Sequence, residues 1–131
     1  MAKIFITKFD KDRLMTLLDK KLRLDEYDKT LLTELKIAQV VEPQEIPNDI
    51  ITMNSKCLLK DDDGSDWEYT LVFPEDADYE QDKISILSPI GCSLIGNKVG
   101  SAVTFPSPKG SHEMTLMDIL YQPERSGHMD V

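Results

Sequence analysis

The chain has 131 residues with 15 basic and 24 acidic side chains, a formal net charge of −9. That length fits one ordinary domain, or a small domain with an appendage, which folds unaided. The acidic balance disfavours phosphate backbones, whose binding rests on Lys and Arg displacing counterions, so no direct nucleic-acid binding is expected and a basic protein surface suits it better. No apolar run approaches the ~18 residues of a membrane span, and the start MAKIFITKFDKDR carries no signal-peptide core, so the expected location is cytoplasmic and away from membranes.

The charge is unevenly spread. Residues 1–46 hold nine basic and nine acidic side chains, which places the entire acidic excess after residue 46. Over residues 10–23, Leu14, Leu17, Leu18 and Leu22 recur at spacings of three and four, predicting an amphipathic helix. A second helix is expected from Asp25 or Asp28, with Leu31, Leu32, Leu35, Ala38 and Val40 or Val41 on one stripe, ending before Pro43. The short connection between them predicts an antiparallel hairpin, an arm reaching only ~20 to 25 Å. The polar stretch from Pro43 to Pro47 reads as a linker.

Beyond it the period changes to two. Trp67, Tyr69, Leu71 and Phe73 alternate with Glu68, Thr70 and Val72 as a strand with one buried face. Residues 55–60 should pair with it through the turn Asp61-Asp62-Asp63-Gly64, and residues 83–87, 102–105 and 112–121 supply three more strands. The last two are expected to join through the loop at 106–110. In the final strand Met114 and Leu116 are out of phase with Met117, Ile119 and Tyr121, which predicts a bulge near Leu116 or Met117. Residues 123–131 are expected to be a disordered tail.

One short stretch, SPIGCSLIGNKVG at 88–100, is a helix cut off by glycine. Ser88 suits an N-cap and Pro89 the first helical position, while Gly96 suits a left-handed closing residue. With so few hydrogen bonds of its own, the helix must bury Ile90, Leu94 and Ile95 against something. The fold class is therefore α+β: an antiparallel helical hairpin at 1–46, then an antiparallel β domain with one short helix at 47–122.

Sites of chemistry are scarce. The acidic turn at 61–66 lacks the spacing of an EF-hand, and His112-Glu113 lacks the second histidine of a zinc motif, so no metal site, catalytic residue or cofactor is assigned. Cys57 and Cys92 share no ligand spacing and read as packing residues. Asp25, Glu26 and Asp28 near the hairpin tip have the chemistry to hold a Mg²⁺ shared with a partner, although acids there more often favour a helix N-terminus.

A helical arm followed by KISILSPIGCSLIGNKVGSAVTF resembles the Gre family of bacterial transcription elongation factors. The resemblance rests on Ser88, Pro89, Gly91, Leu94 and Gly96, then Lys98, Val99, Gly100 and Val103, with Ser101 where the family usually has Asp. It is strongest over residues 83–121. The short arm and the run PNDIITMNS at 47–55 are similar to one branch, the regulators of nucleoside diphosphate kinase (Rnk), over nearly the whole chain. The resemblance implies a coiled-coil arm and an FKBP-like C-terminal domain that binds RNA polymerase beside the secondary channel, on the rim of the largest subunit, with Ser88, Pro89, Ile90 and Gly91 as contacts. Gre factors push tip carboxylates down the channel to help hold a catalytic Mg²⁺. An arm of the expected length gives Asp25, Glu26 and Asp28 about half that reach by the rise per residue. The resulting expectation is a non-enzymatic regulator that competes with Gre-type factors without cleaving. The alternatives are an active cleavage factor, a regulator of nucleoside diphosphate kinase levels, and a prolyl isomerase. The last needs an aromatic-lined pocket, whereas Trp67, Tyr69 and Phe73 read as a core face.

Overall fold

The computed structural model describes residues 4–107, 110–125 and 127. Strand β1 (Phe5–Thr7) leads directly into helix α1 (Lys8–Asp19), and helix α2 (Glu26–Ile37) leads into strand β2 (Gln39–Val41). The two short strands lie side by side in parallel, Ile6 opposite Val40, and close the base of the helical hairpin. A five-stranded sheet follows in the order β5-β4-β3-β7-β6, built from β3 (Lys56–Asp61), β4 (Asp66–Val72), β5 (Lys83–Ser85), β6 (Ala102–Ser107) and β7 (Gly110–Tyr121). Helix α3 (Pro89–Leu94) sits between β5 and β6 in the chain and packs on both strands and on α2. The fold is thus mixed α+β, with three helices and a mostly antiparallel sheet. Among the described residues no helix is long and apolar enough to cross a membrane.

Both hairpin helices are shorter than their leucine spacing predicts, at 12 residues or ~18 Å each. Helix α1 starts at the Thr7 N-cap, three residues before Asp10, and stops at Asp19, which leaves Leu22 fully exposed in the connection. The reason lies at the next helix. Asp25 is locked as the N-cap of α2 by a reciprocal pair of hydrogen bonds with Asp28, so residues 20–24 must turn the chain around. Helix α2 ends at Ile37 because the β-branched pair Val40 and Val41 finds a partner strand in β1, a pairing between residues 34 apart that no local pattern reveals.

In the sheet, the turn after β3 closes as the sequence suggests, with Gly64 at φ +88°. One correction concerns strand direction: β5 runs parallel to β4, Leu71 opposite Ile84, because residues 73–82 make a crossover with two 3₁₀ turns instead of a hairpin. The expected bulge in β7 is present. Leu59 pairs with Leu116 while Leu58 pairs with Asp118, so Met117 is skipped, and Leu120 is skipped in the same way. Both bulged side chains point outward and are 43 % exposed, whereas Met53 is core. Of the loop expected at 106–110, residues 106 and 107 belong to β6 and residue 110 to β7, and residues 108 and 109 lie outside the described residues.

A single apolar cluster joins the hairpin to the sheet: Ile6, Leu14, Leu18, Leu31 and Leu35 are packed with Met53, Leu59, Leu71, Leu94 and Leu116. The tail expectation at 123–131 is corrected at its start. Pro123 is buried, Gln122 donates to the carbonyls of Pro47 and Ile50, and Glu124 accepts from Thr52. Residues 126 and 128–131 lie outside the described residues.

Candidate functional site: the Ser88 turn and its cleft

Helix α3 begins with Ser88 Oγ, which accepts from the Gly91 N–H (3.1 Å) and donates to the carbonyl of Ser85 (2.7 Å). One hydroxyl thereby caps the helix and ties it to the end of β5. Pro89 occupies the first helical position, where no N–H is required. Gly91 is buried, and a Cβ there would stand 1.9 Å from the Ser85 carbonyl oxygen, so the close approach of helix to strand requires glycine. At the far end Gly96 adopts φ +77° and lies against Ile4, while Ile51 and Val99 lace the exit to the segment before β3 through hydrogen bonds. Leu94 and Ile95 are buried, and α2 covers the helix from outside. The short helix therefore rests on the sheet on one side and the hairpin on the other.

Of the four residues expected to make contact, Ser88, Pro89 and Ile90 are half-buried and reachable, whereas Gly91 is enclosed. Ile90 faces a cleft of about 360 Å³, which it lines with Trp67, Tyr69, Ile84, Met114 and Tyr79. This corrects the reading of β4 as a core face throughout. Leu71 is fully buried, but Trp67 is 43 % exposed and stacks on Tyr69 (centroids 6.4 Å apart, planes at 12°) to form a wall of the cleft. The phase was readable in the sequence. The end of the core halfway along β4 was not, since it depends on which distant residues pack opposite the strand.

The cleft mouth is acidic. Asp61 and Asp82 line it, with Asp61 Oδ1 3.0 Å from His112 Nε2. Hydrogen bonding from Asp62, and then the neighbouring His112, hold the Asp61 carboxyl below its usual value. The cysteines take no part. Burial pushes the Cys57 thiol up to about 12 and that of Cys92 to about 11, so both remain protonated and unreactive near neutrality.

The three tip acids separate. Asp25 and Glu26 are exposed, with Asp25 capping α2. Asp28 is 1 % exposed, and its Oδ2 accepts both the Asp25 N–H and the Lys21 ammonium. Burial raises its pKa, but the bonds from Lys21 and Asp25 outweigh that, and the net shift is downward. Its position in the interior turns its carboxylate to the cap and Lys21, away from solvent.

The description "Transcription elongation factor, GreA/GreB, C-term" matches residues 46–121, and "Rnk N-terminus" matches residues 3–41. The chain is 33 % identical over 99 residues to the regulator of nucleoside diphosphate kinase of Escherichia coli K12, a match covering 74 % of this chain and 73 % of the relative. It is 40 % identical over 88 residues to the transcription elongation factor GreA of Chlorobaculum tepidum, covering 66 % of this chain and 55 % of that protein. A solved structure of a GreA/GreB elongation factor from Nitrosomonas europaea superposes with a TM-score of 0.82 at 34 % identity, covering 92 % of this chain and all of that one. GreA factor homolog 1 of Thermus thermophilus, at 22 % identity and a TM-score of 0.52, shares the fold. The chain therefore belongs to the GreA/GreB family of transcription elongation factors, as a transcription factor that joins a Rnk-type N-terminus to a GreA/GreB C-terminal domain.

Proposed function

We propose that the protein binds RNA polymerase at the rim of its secondary channel through the Ser88 turn and the cleft beside it. In this reading residues 47–122 form the docking domain, FKBP-like in arrangement, and residues 1–46 the coiled-coil arm. Gre-family factors bind RNA polymerase, and this chain carries their C-terminal domain. The site's own chemistry supports it: Pro89 and Ile90 offer a stiffened apolar contact, the aromatic cleft accepts an anchoring side chain, and Asp61 and Asp82 suit a basic neighbour.

Bound there, the protein regulates transcription without stimulating cleavage and competes with longer Gre-type factors. The observation that carries this is the hairpin. Its helices are only ~18 Å long, Leu14, Leu18, Leu31 and Leu35 are absorbed into the body's core, and two of its three acids, Asp25 and Asp28, are committed to a reciprocal cap. Help in holding a catalytic Mg²⁺ demands placement to about an ångström, which a short docked arm does not offer. An influence on nucleoside diphosphate kinase levels, as in the name of the Escherichia coli relative, would then follow from altered transcription.

The test is binding of labelled protein to core RNA polymerase with unlabelled GreA as competitor, beside a Pro89→Ala, Ile90→Asp double variant. Competed binding lost in the variant supports the reading, and binding that ignores both GreA and the variant overturns the site. Rescue of backtracked complexes by the wild type, abolished by changing Asp25 and Glu26 together, would overturn the absence of cleavage.

A further inference from the structure

The run PNDIITMNS meets the site above through Asp49 and Ile51, and its second half closes on itself and is held from three directions. The turn at residues 52–55 closes on itself, with Ser55 Oγ accepting from the Thr52 N–H at 2.9 Å and Asn54 in a left-handed conformation. From the hairpin, Asp10 Oδ2 accepts the Met53 N–H at 3.0 Å across 43 residues of sequence. From the sheet, the Leu71 carbonyl accepts from Asn54 and the Leu71 N–H donates to Ser55. From the chain beyond β7, Glu124 Oε1 accepts from the Thr52 hydroxyl at 2.7 Å. Thr52, Ser55 and Asp10 are each no more than 1 % exposed.

Asp10 is itself held firmly. Its other oxygen accepts from Arg13 at 2.7 Å, and the Arg13 guanidinium lies between the rings of Phe9 on α1 and Phe73 after β4, 4.9 and 4.8 Å from their centroids. Outward from this point the seam between α1 and the body opens into a groove of about 410 Å³, lined by Thr16, Leu17 and Lys20 on one side and Phe73 and Glu75 on the other. Along α1, polar fixation is thus concentrated at its first turn. Leucine contacts are non-directional and fill space at several angles, whereas a buried polar network is satisfied at one.

We propose that the turn at residues 52–55 is the joint that sets the angle of the helical hairpin on the sheet, with Asp10 as the positioning residue from α1 and Glu124 as the brace from the C-terminal segment. Breaking the joint lets the hairpin leave its docked orientation while the sheet stays intact. The C-terminal segment is then a strut coupled to the hairpin through Thr52, so whatever displaces it loosens the arm. The geometry is a property of the isolated chain. Only the consequence for a partner rests on the proposed polymerase reading, so failure of either leaves the other standing.

The experiment is a spin-label distance measurement on the full chain between Arg23→Cys at the hairpin tip and Asp63→Cys in the turn after β3, both exposed positions. The two native thiols are buried. The wild-type background should give one narrow distance distribution. Asp10→Asn turns an amide donor toward either Arg13 or Met53, and it should broaden the distribution and add a second population, with Trp67 fluorescence unchanged. Thr52→Val, which removes only the hydroxyl between Ser55 and Glu124, should shift the distribution in the same direction by less, and it carries the test if Asp10→Asn fails to fold. Asp28→Asn, at the other end of the hairpin, should leave it unchanged. A distribution as narrow as wild type in the folded Asp10 and Thr52 variants overturns the joint.

Discussion

The two ends of the helical hairpin are built from the same parts and do different work. At the base, Thr7 caps α1 and a buried Asp10 three residues on accepts from Arg13. At the tip, Asp25 caps α2 and a buried Asp28 three residues on accepts from Lys21. Both aspartates are 1 % exposed and both have a cation beside them. The difference is the third bond. Asp10 reaches Met53, on a segment fixed to the sheet, whereas Asp28 reaches only back to Asp25. In its polar bonds the base is therefore tied to the rest of the molecule and the tip to itself, while Leu24 and Tyr27 beside the tip still pack against the core. A short-range cap can be changed without disturbing the body, which leaves the tip as the end where function can vary.

The sharpest break in that comparison is Asp10→Ala, which leaves Arg13 and the Met53 N–H without their buried acceptor and should lower stability by about 3 kcal/mol in urea denaturation. A loss no larger than that of a simple cap would erase the distinction between base and tip. Leu14→Ala and Leu22→Ala extend it to apolar residues: the first should cost about 3 kcal/mol as a core truncation and the second less than about 0.5, because Leu22 is fully exposed. Asp25→Ala should cost only about 1 kcal/mol, the usual value of an N-cap, with hydrogen exchange changed in α2 and not in the sheet.

Acid titration separates the two aspartates by sign. Burial raises the pKa of Asp10 despite its bonds from Met53 and Arg13, so its contribution to stability is fully present below 3.8 and is lost as pH rises through the folded value. Asp28 is shifted downward, so its contribution is present above 3.8 and is lost as pH falls through the folded value. On going from pH 7 to about pH 3, the stability gap to wild type should therefore narrow for Asp28→Asn and widen for Asp10→Asn. Glu34, also raised by burial, acts in the same sense as Asp10 and is common to wild type and variants, whereas Glu124, raised by burial and further by the Asp10 charge, moves with Asp10, so the Asp10→Asn difference reports the two acids together.

Local pattern carried much of this. The spacing Thr7 to Asp10 and Asp25 to Asp28 is that of capping pairs, and reading the second in that way would have removed Asp28 from the channel-facing acids. The cap, proline and glycines of residues 88–96 were legible because each answers a backbone need within a few residues. The parallel pairing of β1 with β2, the parallel entry of β5, and the cleft at Trp67 were not, since each depends on what lies opposite, 34 positions away for β1 and β2, 13 for β4 and β5, and up to 47 between Trp67 and Met114.

The sequence by itself determined the α+β class, the boundaries of α3, the bulge in β7 and the family, all of which rest on residue type and short spacing. Tertiary structure alone decided that the hairpin lies against the body and is tied there at Met53, and that the aromatic strand face becomes half core and half cleft. The physical reason is common to both. An amphipathic stripe says that a face must be covered, and the packing of distant elements decides by what, at what angle, and where the cover ends.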